Sequence, residues 1–102
     1  MKVLNVTKEN FEEIRASEKP VLLDFYADWC GPCRMVSPLV DQIAEEREDV
    51  LVGKINVDEQ QELAMEFGVA SIPTLAVLKD GKVVSQSAGA RPKAQILAML
   101  DV

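Results

Sequence analysis

The chain has 102 residues, 48% apolar and 27% charged, with five Gly and five Pro. That is enough for a single domain around one core and excludes a second folded domain, a disordered chain or a collagen-like repeat. A formal charge of -6 repels a phosphate backbone and argues against a nucleic-acid partner, while the absence of histidine removes Ser/His/Asp and Cys/His catalysis within the chain.

Lys2 to Asn5 reads as a short strand, followed by a helical pattern with Phe11 and Ile14 on one side. Thr7 fits its N-cap, Val6 and Phe11 have the spacing of a hydrophobic staple, and Pro20 lies past its end. Val21 to Ala27 is almost wholly apolar, as expected of a central strand covered on both faces, with Asp24 its single charge. From WCGPC to about Glu48, Met35, Val36, Leu39, Val40, Ile43 and Ala44 recur at helical spacing. Pro38 inside that helix cannot donate to the carbonyl of Arg34, so a kink is expected, and Glu45, Glu46, Glu48 and Asp49 read as a solvated helix end.

Leu51 to Val57 is a further strand, and Asp58 with Gln61 suggests a capped helix running to Phe67, with Gly68 just beyond it. Thr74 to Lys79 and Lys82 to Ser87 flank Asp80 and Gly81, a two-residue hairpin signal that makes these strands antiparallel. Gly89 precedes a last helix with Pro92 near its first position and Ile96, Leu97, Met99 and Leu100 as its apolar residues. The order βαβαβαββα implies an α/β fold with a central mixed five-stranded sheet, four flanking helices on both faces, and right-handed crossovers among the first three strands. The N-terminal stretch shows no apolar signal-peptide core, and no run of 18 apolar residues occurs, so the expectation is a cytoplasmic protein off the membrane.

The two cysteines, Cys30 and Cys33, stand where the buried strand passes into the long helix. Residues three apart in a first helical turn share a face, and their Cα atoms can come within the roughly 4.4 to 6.8 Å that a disulfide needs, so the pair can close and reopen locally. Cys30, at the helix edge, is expected to be exposed and to feel the unpaired amides that favour a thiolate, which makes it the candidate nucleophile. Cys33, one turn inside, is expected to be shielded and to act as the resolving thiol. Gly31 leaves the backbone uncrowded beside an incoming sulfur, and Pro32 presets φ in a turn that needs no amide hydrogen. The competing reading, half of a zinc site, survives only as a metal shared between two chains.

WCGPC after a buried strand, Ile72, Pro73 and Thr74 within SIPT, and Gly89 before the last helix closely resemble the thioredoxin family over essentially the whole chain. The resemblance implies a general protein-disulfide reductase with no bound cofactor, recharged by a thioredoxin reductase using NADPH or by a ferredoxin-linked equivalent. It implies a cis Pro73 facing the cysteines, and an Ile72 backbone that hydrogen-bonds an extended substrate segment. Trp29, Gly31, Pro32, Ile72, Pro73, Gly89 and Ala90 match the family's apolar substrate surface.

Asp24, costly as a charge in so apolar a strand, should have a raised pKa. By resemblance it accepts the proton of Cys33, with Lys54 nearby to modulate it; the alternative is a structural Asp24 satisfied by Lys54 and the backbone. Tyr26, Asp28 and Arg34 depart from the commonest family pattern without touching the reacting atoms. The rival functions are an oxidant or isomerase of the same fold, or a binding module that uses the same surface without turnover. The expected partners are the reductase and disulfide-containing proteins, met by a monomer.

Overall fold

The computed structural model describes residues 2 to 101. Met1 and Val102, the two ends of the single domain expected over the chain, lie outside the described residues. The elements run β1 (Val3–Asn5), α1 (Phe11–Arg15), β2 (Val21–Tyr26), α2 (Gly31–Glu46), β3 (Leu51–Asn56), α3 (Gln61–Glu66), β4 (Thr74–Lys79), β5 (Lys82–Ala88) and α4 (Lys93–Leu100). They build one sheet in the order β1-β3-β2-β4-β5. β3 pairs in parallel with both β1 and β2, whereas β4 pairs antiparallel with β2 and with β5. The β4–β5 turn places Asp80 at φ 53° and Gly81 at φ 79°, the left-handed pair that matches the twist of a tight hairpin.

Side-chain alternation along β2 divides the interior in two. Val21, Leu23 and Phe25 join Phe11 and Ile14 of α1, Leu63 of α3, and Ile55, Ala76 and Leu78 of the neighbouring strands. Leu22 points the other way, into a cluster with Val36, Val40 and Ile43 of α2 and Ile96, Met99 and Leu100 of α4. Asp24 shares the direction of Leu22, beneath α2. Helices cover both faces, as the element order implies, and α2 continues through Pro38.

The helix starts differ from the expected ones. Thr7 does not cap α1; the N-cap position is Asn10, whose Oδ1 accepts the Thr7 backbone N–H at 2.7 Å and whose Nδ2 donates to the Asn5 carbonyl at 2.9 Å. A turn therefore intervenes, although Val6 and Phe11 still pack in one cluster. Asp58 does not cap α3 either. Asn56 accepts the N–H groups of Asp58 and Glu59 on Oδ1, its carbonyl accepts that of Gln60 at 2.8 Å, and the helix begins only after Gln60. Pro92 is the N-cap of α4, next to the first helical position and in keeping with the expectation. Gly68, at φ 65°, follows α3 as expected.

Candidate functional site

α2 starts at the carboxyl end of the central strand β2, and Cys30 is its N-cap residue. The β2–α2 connection is short, and the Cys30 N–H donates to the Ala27 carbonyl at 3.2 Å, closing the turn. Cys30 and Cys33 are joined as a disulfide with Cα atoms 5.3 Å apart. The Cys33 N–H donates to the Cys30 Sγ at 3.2 Å, so the outer sulfur occupies the place of a capping oxygen at the positive end of a 16-residue helix.

Both cysteines are only 4% exposed, which corrects the expectation of an exposed Cys30. In the disulfide the two sulfurs cover one another, and Ala27, Tyr26, Val57 and Ile72 pack around them. Residue burial does not separate the two cysteines; their places at the helix end do.

The Cys30 Sγ lies 3.9 Å from the Ile72 carbonyl oxygen. The Ile72–Pro73 bond is cis, as the resemblance implies. The Pro73 carbonyl accepts the Gly89 N–H at 2.8 Å and the Thr74 Oγ1 donates to the Ser71 carbonyl at 2.6 Å, tying this segment to the end of β5. Ile72, Pro73, Gly89 and Cys30 thus come together from three separate stretches of chain. Pro73 is buried and Ile72 and Gly89 are half-buried, while Gly31, Pro32 and Ala90 are exposed around them. Trp29 is 70% exposed, and its Nε1–H donates to the Asp58 Oδ2 at 2.8 Å. Arg34 donates to the Asp28 carbonyl at 3.1 Å.

Asp24 is fully buried, and among the described residues neither of its carboxyl oxygens has a hydrogen-bond partner. Its pKa is raised from 3.8 to about 7, mainly by desolvation; the positive charge of Lys54 opposes the shift and Asp41 adds to it. The alternative in which Lys54 and the backbone satisfy Asp24 does not hold. Lys54 sits directly beside Asp24 in the β2–β3 register, but its ammonium pairs with the Asp41 Oδ1 at 3.0 Å and donates to the Ser37 Oγ. No hydrogen bond joins Lys54 to Asp24. A cavity of about 260 Å³ lined by Cys33, Ser37, Lys54, Tyr26, Ala27, Asp28 and Arg34 opens beside the inner sulfur.

Ser37, Asp41 and Asn56 were not singled out by the sequence reading. The usable signal was the spacing of Ser37 and Asp41, one helical turn apart on the helix that covers the Lys54 strand. The acidic stretch at the end of α2 is exposed as expected, with Glu46 bonded to Lys93 and Glu48 to Lys2. Among the described residues no cluster of three or more His, Cys, Asp or Glu could hold a metal, and no helix is long and apolar enough to cross a membrane.

A buried disulfide at a helix start, facing a cis proline, is the arrangement of a dithiol–disulfide exchange protein. The Thioredoxin family model matches residues 2 to 102. A thioredoxin of Chlorobaculum thiosulfatiphilum is 45% identical over 102 residues, spanning 98% of this chain and 94% of that protein. Thioredoxin 1 of Synechococcus elongatus is 49% identical over 98 residues, spanning 94% and 92%. A solved structure, a point mutant of the thioredoxin from Halobacterium salinarum NRC-1, superposes with a TM-score of 0.91 at 38% identity, covering 98% of this chain and 88% of that one. The chain belongs to the thioredoxin family. It is a thiol–disulfide oxidoreductase that reduces protein disulfides through the Cys30–Cys33 pair.

Proposed function

We propose that the reaction begins with the Cys30 thiolate attacking one sulfur of a substrate disulfide, forming a mixed disulfide and releasing the other substrate sulfur as thiolate. Cys33 then loses its proton to the Asp24 carboxylate and attacks the Cys30 Sγ; the Cys30–substrate bond breaks and the second substrate sulfur departs, to be protonated. The substrate gains two electrons and two protons, and Cys30 and Cys33 end as the disulfide. The observation that carries this assignment is the Cys30 Sγ at the N-cap of α2, accepting the Cys33 N–H, because the same position stabilises a thiolate. Asp24 suits the transfer because its pKa of about 7 allows it to exchange a proton near neutrality. The cavity beside Cys33 has room for bridging water. Lys54 tunes Asp24 by its charge.

A substrate segment lies in extended form against Ile72 and Pro73, over a surface completed by Trp29, Gly31, Pro32, Gly89 and Ala90. Contact with backbone and low apolar relief suits many substrates. The pair is returned to the dithiol by a separate thioredoxin reductase drawing on NADPH, and the protein works as a one-domain monomer in the cytoplasm. The test is reduction of insulin disulfides with NADPH and a thioredoxin reductase by wild type, Cys30→Ser and Cys33→Ser. Neither variant should turn over; Cys33→Ser should accumulate a covalent adduct through Cys30, and Cys30→Ser should form none. An adduct held by Cys33 would reverse the roles.

A further inference from the structure

Asp24 is a buried carboxyl with a lysine beside it on the adjacent strand, yet no hydrogen bond joins the two. Asp24 and Lys54 are register partners in the parallel β2–β3 pair, so their side chains leave the sheet side by side toward α2. The Lys54 ammonium nevertheless passes to α2, 3.0 Å from the Asp41 Oδ1 and hydrogen-bonded to the Ser37 Oγ, while both oxygens of Asp24 stay unpaired among the described residues. We propose that Asp41, assisted by Ser37, is a positioning residue that holds the Lys54 ammonium away from Asp24, keeping Asp24 an unpaired buried acid. This rests on the reading of Asp24 as the proton acceptor of Cys33.

The physical reason lies in where the two carboxylates sit. Asp41 is 55% exposed and Asp24 is fully buried, so an ion pair at Asp41 keeps much of its hydration, whereas a pair at Asp24 would draw the ammonium into the apolar interior. Ser37 and Asp41, four residues apart, form a two-point cradle on one helix face. The groups facing Asp24 are few. Lys54 stands on β3, Asp41 on α2, Tyr26 two residues along Asp24's own strand, and β4 presents the apolar Leu75 opposite it. Removal of the Asp41 charge has two effects of the same sign. A negative neighbour disappears, and the ammonium is freed to approach Asp24; both favour the ionised carboxylate.

The consequence is chemical. An Asp24 paired with Lys54 would be a weaker base and would give up its proton at lower pH, taking the Cys33 proton less readily near neutrality. Asp41 thereby sets the pH range in which the inner thiol is activated, without touching either sulfur.

Carbon-13 titration of the Asp24 carboxyl in the oxidised protein tests the idea directly, in wild type, Asp41→Asn, Asp41→Glu, Lys54→Met and the Asp41→Asn/Lys54→Met double variant. Asp41 is exposed enough for its substitution to leave folding intact. Asp41→Asn should lower the midpoint by about one pH unit or more. Asp41→Glu should return it toward wild type, and in the Lys54→Met background the Asn substitution should move it less than half as far. A midpoint that stays or rises in Asp41→Asn overturns the proposal, as does a full shift without Lys54. The pH profile of mixed-disulfide resolution in the same variants tests the underlying assignment separately. A titration that moves while the rate profile does not would remove Asp24 from the proton transfer and leave the positioning role standing.

Discussion

The two faces of the sheet solve different problems with adjacent residues of one strand. Phe25 points to the α1–α3 side and packs against Phe67 at 5.1 Å between ring centroids, where Phe11 meets Phe67 edge-on at 5.7 Å. Asp24, one residue earlier, points to the α2–α4 side and meets no hydrogen-bond partner among the described residues. The first face is packed for stability, and the second, packed as well, retains a cost. A buried polar group left unpaired costs about 1 to 3 kcal/mol, a cost that the proton transfer proposed for Asp24 would account for.

The sharpest way to break this contrast is to substitute the two neighbours and follow stability against pH. The folded pKa of Asp24 is about 7 and its ordinary value 3.8, so between these limits the folded protein holds a proton that the unfolded chain has lost. Stability contributed by the protonated form is complete below about pH 4 and declines as pH rises to about 7, a total of about 4 kcal/mol. Asp24→Asn should remove that decline, so its advantage over wild type grows by about 4 kcal/mol from acid to mildly alkaline pH. Phe25→Ala should lose about 3 to 5 kcal/mol at every pH. Denaturant unfolding of the oxidised proteins at several pH values measures both. An Asp24→Asn difference that is flat in pH would mean that Asp24 is ionised in the fold.

Much of this contrast was legible in the sequence. The apolar run of Val21 to Ala27 with one charge reads as a doubly covered strand holding a perturbed Asp24, and Cys30 with Cys33 before a long amphipathic segment reads as a redox pair at a helix start. These features are local, and so was the Asp80–Gly81 hairpin. The helix starts were less legible, because a turn that depends on where the preceding strand ends stands before each helix. Asn10 and Asn56 accept backbone N–H groups in those turns, and neither α1 nor α3 has a side-chain cap. The partner of Lys54 was missed for another reason: Asp41 and Lys54 meet only when α2 lies across β3. Exposure of Cys30 was misjudged because position at a helix edge says nothing of the Ile72 segment folded over it.

Gly53 sharpens the comparison from the packed side. It lies on β3 facing the α1–α3 cluster, where a Cβ would collide with Val6 Cγ2 and stand 3.3 Å from Leu23 Cδ2. Gly53→Ala should therefore cost about 1 to 3 kcal/mol through overpacking, with no dependence on pH and no change in the rate of disulfide exchange below the unfolding transition. A loss confined to activity would place the crowding on the wrong face.

The smallest effect is expected where the two sides meet. Asp58 stands in the turn before α3, which covers the packed face, and its carboxylate accepts the indole N–H of Trp29 from the loop that leads into α2. Because Asn56 already caps the turn, Asp58 is free to hold the indole, and the bond links the α3 side to the rim of the redox site. The indole is largely exposed, so water can replace the lost acceptor, and Asp58→Ala should cost about 1 kcal/mol or less. Its consequence should appear in motion. Trp29 is the single tryptophan of the chain, so fluorescence anisotropy reports on that ring alone. The ring should tumble faster in Asp58→Ala and remain restrained in Asp58→Asn, which keeps an acceptor oxygen. Equal anisotropy in all three proteins would show that packing holds the indole and that the hydrogen bond across the two sides contributes nothing.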